Sequence, residues 1–145
     1  MTILHTTGQH RVSFCPCHCT GKQLWEQLLE VDIWPATEQK PQTGFTIEVL
    51  RHQRSFSLRG KVSLKEYYDA LVDLTSAAEL KGSISTTYDQ FRLAVRQYRI
   101  LCMHMRAGRA DAALPLADGE LCIKCPACPR PGENLPKNWD KDPMK

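Results

Sequence analysis

The sequence predicts a mostly α-helical single domain with a small N-terminal β-hairpin, and three observations carry that expectation. Residues 64–74 and 88–105 repeat apolar side chains every three or four positions, as the buried face of a helix requires. The first fourteen residues read instead as two short extended runs around Gly8. Six of the seven cysteines fall in two groups about a hundred residues apart, which adds zinc as the expected staple between the chain's ends.

Taken in order, "TILHTTGQHRVSFC" supplies the hairpin, with Val12 and Phe14 alternating beyond it. In "GKQLWEQLLEV", Leu24, Leu28 and Val31 share one side of a short helix that Pro35 is expected to end. "QTGFTIEVLRHQRSFSL" fits two periods. Phe45, Val49 and Leu50 suit a helix, whereas Phe45, Ile47 and Val49 alternate as in a strand; the helical reading is preferred.

Ser63 and Glu66 form a capping box before a helix whose apolar face is Leu64, Tyr67, Tyr68, Leu71 and Leu74. The longest helix is expected to be capped by Thr86 or Thr87 and closed by Gly108. Its seam is Tyr88, Phe91, Val95, Tyr98, Cys102 and Met105, with Cys102 read as a small core residue. "GRADAALPLADGE" follows as a loop. "PRPGENLPKNWDKDP" holds too many prolines for regular structure. The expected division is a cysteine-cluster domain over 1–129 and an extended tail over 130–145.

A chain of 145 residues suffices for one domain with a real core. A net charge of +3 permits a nucleic-acid partner without requiring one. No signal-peptide core opens the chain, and no run approaches the length of a membrane span. The expectation is an intracellular protein with reduced thiols, where clustered cysteines mean metal more often than disulfides. An odd number of cysteines also fits a closed disulfide framework poorly.

Structural zinc takes four thiolate or imidazole ligands, which usually arrive as two local pairs. Cys125-x-x-Cys128 has the spacing of one such knuckle, and Cys15-x-Cys17 is a tighter pair. The expected site is one zinc ion held by Cys15, Cys17, Cys125 and Cys128. Pro16, Pro126 and Pro129 stiffen the loops and lower the entropy lost on binding. Lys22, Lys124 and Arg130 are candidate neighbours for the negative charge of four thiolates. Cys19 and Cys122 are spare ligands, able to join a second site with His18, His10 or His5 or to replace a member of the first. Two other readings stand beside this one: a thiol-disulfide oxidoreductase using Cys125 and Cys128, and cysteines without any ligand.

Arg92, Arg96, Arg99 and Arg106 fall on one edge of the long helix, and Arg109 continues the run. Such a stripe can lie along nucleic-acid phosphates. It also fits a solvated face or pairing with carboxylates, and the balance falls to that second reading. Trp25, Trp34 and Trp139 are core or docking residues. There is no phosphate-binding glycine loop, nucleophile elbow or HExxH helix, and no small-molecule substrate is expected.

The segments "HTTGQHRVSFCPC", "QLLEVDIWPAT", "PQTGFT", "GKVSLKEYYDALVDLT", "YDQFRLAVRQYRILCMHMRAGR" and "CPACPRPGENLPKNWD" occur in that order. Together they resemble the CxC-type cysteine cluster associated with KDZ (Kyakuja-Dileera-Zisupton) transposases, over nearly the whole chain. The resemblance implies a zinc-chelating module N-terminal to a transposase, with Cys15, Cys17, Cys125 and Cys128 in the shared pattern. His5 and His10 also match family positions, whereas Cys19 and Cys122 do not. The family's module starts further upstream, and an RNase H-like catalytic domain would follow "NLPKNWD". The chain is therefore expected to be a truncated, non-enzymatic piece of a mobile element, acting in the nucleus on DNA or another transposase chain; the alternative is a non-catalytic protein-interaction fragment with the arginine stripe buried at an interface. Residues 130–145 would then be the start of the missing transposase domain.

Overall fold

In the computed structural model the first two runs pair as an antiparallel hairpin, β1 (Thr2–His5) with β2 (Gly8–Arg11). The structure describes residues 1–19, 21–75, 84–109, 111 and 114–141. The chain divides into two compact units, Met1–Met103 and His104–Lys145.

The sheet of the first unit extends beyond the expected hairpin. Strand β1 also pairs in parallel with β4 (Thr43–Thr46), and β4 pairs antiparallel with β3 (Ile33–Pro35). The order β2-β1-β4-β3 leaves β3 at the edge, where Pro35 costs no ladder hydrogen bond. Helices α1 (Leu24–Glu30), α2 (Ile47–Arg59), α3 (Leu64–Asp73) and α4 (Ile84–Arg106) complete the architecture. The expected hairpin forms, and the mostly α-helical domain is corrected, among the described residues, to four α-helices with a four-stranded sheet.

Local chemistry explains the boundaries. Pro35 does not end α1: the helix stops at Val31, and Asp32 turns the chain at φ 58°. The ambiguous segment is both things in succession. Phe45 lies in β4, and Thr46 then accepts a hydrogen bond from the Val49 N–H at 3.2 Å to start α2. The Ser63–Glu66 capping box forms as expected, with its two bonds at 3.2 and 2.9 Å. Leu74 caps α3 and is exposed rather than part of its face. Helix α4 begins at Ile84, so Thr86 and Thr87 lie inside it rather than at its cap. Thr87 is buried there and hydrogen-bonds Tyr68. Gly108, at φ 72°, does close α4, its N–H donating to the Met105 carbonyl.

The core of the first unit gathers Leu4, Phe45, Val49 and Leu50 with Tyr67, Tyr68, Leu71, Phe91, Ala94 and Val95. The expected α4 seam holds through Phe91, Val95 and the partly buried Tyr98, but Met105 is exposed. Ala94 takes a core place that its small size hid.

One contact explains why the hairpin needs glycine. Gly8 sits at φ 116°, and a Cβ there would meet Thr75 atoms at 3.0–3.1 Å. The buried Thr75 hydroxyl accepts from the Gln9 N–H at 2.9 Å and donates to the Leu71 carbonyl at 2.8 Å. Thr75→Val strands a buried N–H and is expected to lower stability by about 1–3 kcal/mol in urea unfolding.

Burial and the charge of Glu48 push the Tyr67 phenol from 10.0 up to about 12. The folded state therefore keeps a proton that the unfolded chain releases, so stability is full below pH 10 and falls as pH rises toward 12. Tyr67→Phe is expected to flatten that alkaline slope. Its cost at lower pH is the hydrogen bond between the Tyr67 hydroxyl and His52 Nδ1, which spans 2.7 Å.

Candidate metal centre

The first cysteine loop leaves β2 at Arg11, and its residues 15–19 are exposed. It is fastened by one side chain that sequence reasoning missed. Gln27, on α1, accepts from the Cys17 N–H at 2.8 Å and donates back to the Cys17 carbonyl at 2.8 Å and to that of Lys22 at 3.0 Å. Cys15 is an exposed free thiol. Cys17 is bonded to Cys19, their Cα atoms 5.6 Å apart. An oxidised Cys17 is no thiolate donor, so its expected role as a ligand belongs to the reduced chain. His18 is exposed beside Lys22 and Gln27.

The second cysteine loop lies in the second unit and repeats the device. Asn134 donates from Nδ2 to the carbonyls of Cys128 at 2.9 Å and Pro126 at 3.3 Å, and accepts from the Arg130 N–H at 2.7 Å. The residues read as tail thus fold back on the knuckle. Cys122, Cys125 and Cys128 are exposed free thiols. The Cys128 thiol and the N–H groups of Ala127 and Cys128 hydrogen-bond to Cys125, and together they lower its pKa. Donors aimed at a sulfur stabilise the thiolate, the form that binds metal. The loop is a turn rather than a helix start.

His5 and His10 stand at the hairpin end. Thr7 Oγ1 contacts His5 Nδ1 at 3.1 Å and His10 Nε2 at 2.9 Å, while His5 Nε2 meets Glu48 at 3.1 Å. Among the described residues, no three His, Cys, Asp or Glu side chains are grouped to hold a metal ion. The expected compensating cations have carboxylate partners: Lys22 pairs with Glu30, and Lys124 and Arg130 both pair with Glu133.

The arginine stripe divides similarly. Arg92 meets Asp89 at 3.3 Å, and Arg99 reaches Gln53 and Ser57 of α2 at 3.4 and 3.2 Å. Arg96 and Arg106 are exposed. Arg109 pairs with Glu120 and donates to the Leu114 carbonyl at 2.6 Å.

Residues 1–79 match the family model described as a CxC2-like cysteine cluster associated with KDZ transposases. The chain belongs to that family. Its CxC2-like segment contains the whole sheet, helices α1–α3, both family-position histidines and the Cys15–Cys17 loop. The match is shorter than the resemblance read over nearly the full sequence, and Cys125 and Cys128 lie beyond it. So does α4, although Phe91, Ala94 and Val95 complete the core beneath the CxC2-like segment. No curated protein and no solved structure matches the chain. Among the described residues, no helix is long and apolar enough to cross a membrane.

Proposed function

We propose that this transposase-associated module binds zinc and acts as an accessory, non-catalytic partner of DNA or of another transposase chain, in the nucleus. The observation that carries the reading is a pair of exposed cysteine loops, each held in shape by a single side-chain amide, in a chain of the CxC2-like family. Cys125 and Cys128 fit as one two-sulfur arm of a zinc site, because their turn already aims N–H donors at sulfur. Cys15 and Cys17 form the second arm once the Cys17–Cys19 bond is reduced. That step consumes a dithiol reductant, which becomes a disulfide as the two protein thiols form. His5, His10, His18, Cys19 and Cys122 are the alternative ligands. Zinc, when bound, supplies a tetrahedral cross-link rather than chemistry on a substrate.

Cobalt tests this directly, since tetrahedral thiolate coordination gives intense visible absorption. Titrating Co²⁺ into the reduced full chain is expected to saturate near about one equivalent. Loss of the bands in Cys125→Ser supports the site; bands unchanged by that substitution would overturn it. Disulfide reduction activity dependent on Cys125 and Cys128 would favour the oxidoreductase reading instead.

For the nucleic-acid arm, the exposed Arg96 and the neighbouring Arg92 and Arg99 are the phosphate contacts. Binding to duplex DNA is expected to weaken with salt, and Arg96→Ala to reduce that log–log slope by about 1. A slope unaffected by the substitution leaves the protein-partner arm as the activity.

A further inference from the structure

Trp25 and Trp34, whose roles the sequence left open, meet at one concavity of the first unit. A cavity of about 210 Å³ is lined by Trp25 and Leu29 of α1, Trp34 and Pro35 of β3, Glu38 beyond that strand, and Gln97 of α4. It is smaller than the roughly 300–1,000 Å³ of most small-molecule sites, so it suits one side chain or headgroup.

The Trp34 wall is set before any ligand arrives. The Trp34 indole N–H donates to Gln97 Oε1 at 3.1 Å, and Tyr98 abuts the Trp34 ring edge-on with centroids 6.3 Å apart. Such prior ordering lowers the entropy lost on binding. Among the described residues, the only charged group lining the cavity is the Glu38 carboxylate.

We propose that this cavity binds an alkylated ammonium group, specifically the side chain of a methylated lysine presented by a partner protein. Indole faces attract a cation through their quadrupole, and a carboxylate at the rim adds direct charge complementarity. The choice among cations follows from desolvation. A guanidinium brings five N–H donors that need acceptors. Here the side-chain acceptors are the Glu38 carboxylate and the Thr37 hydroxyl, Gln97 Oε1 being engaged by Trp34, so part of that fork is left unpaired against the indoles, Leu29 and Pro35. A fully methylated ammonium has no N–H to satisfy and leaves nothing stranded against that wall.

The test uses the full chain with its indole N–H resonances as reporters. Tetramethylammonium is expected to shift the Trp25 and Trp34 signals saturably and to leave Trp139 unmoved. A peptide carrying trimethyl-lysine is expected to bind about tenfold more tightly than the same peptide with a neutral tert-butyl isostere. Glu38→Gln, at an exposed position that leaves the core intact, is expected to weaken the cationic peptide several-fold and the isostere not at all. Equal affinity for cation and isostere would reduce the site to an apolar hollow and overturn the proposal. So would the absence of any shift at the two indoles.

Discussion

Phe91→Ala is expected to lower the unfolding free energy by about 3–5 kcal/mol. The ring is fully buried and has aromatic neighbours from the sheet and from α3: Phe45 at 5.4 Å, Tyr68 at 6.0 Å and Tyr67 at 6.4 Å between centroids. Truncation removes the transfer free energy of the ring and leaves a cavity that three large neighbours cannot collapse to fill. Against a typical total of about 5–15 kcal/mol, that loss brings the fold near its limit. Urea unfolding measures it. Leu93, one and two positions from the core residues Ala94 and Val95, is half exposed and serves as the control. Leu93→Ala is expected to cost less than about 1 kcal/mol, because surface truncations leave no cavity. A comparable cost at both positions would contradict the assignment of α4 as the element that closes the core.

The second large effect is expected from zinc. A ligand that binds only the folded state stabilises it by about 4 kcal/mol at a free concentration a thousandfold above its Kd. Reduced chain titrated with zinc is expected to gain stability on that scale, and a chelator to reverse the gain. Cys125→Ser removes the thiol toward which Ala127 and Cys128 direct their N–H groups. It is expected to weaken zinc by more than about a hundredfold and to cut the gain to less than about 1.5 kcal/mol at the same zinc concentration. Asn134→Leu keeps every sulfur but frees the carbonyls of Pro126 and Cys128 from their shared donor. Its expected loss is smaller, about tenfold, as for outer partners of a metal site. Competition against a zinc indicator separates the two.

Much of the first unit was legible because its signals were local. Gly8 marked the hairpin, and Ser63 with Glu66 marked the start of α3, since turn and cap preferences act over a few residues. Strand β3 was hidden by its length of three residues and by Pro35, which reads as a helix stop when nothing reveals that the strand lies at an edge. The β4–α2 segment gave two periods because both were present, joined at Thr46.

The two cysteine loops were legible in sequence, and their supports were not. Gln27 and Asn134 act on loops ten and six residues away, through amides that look like any surface amide in sequence. The Cys17–Cys19 bond was missed because the reading assumed thiols throughout. The arginine stripe followed from helical spacing alone, but the partners of Arg99 and Arg109 depend on how the chain folds.

We propose that both cysteine loops serve a single zinc ion. The most direct measurement is the metal content of reduced full-length chain purified without added zinc, beside Cys15→Ser/Cys17→Ser and Cys125→Ser/Cys128→Ser. About one zinc per wild-type chain and almost none in either double variant is the expected result. A full complement of zinc surviving the loss of Cys15 and Cys17 would contradict it.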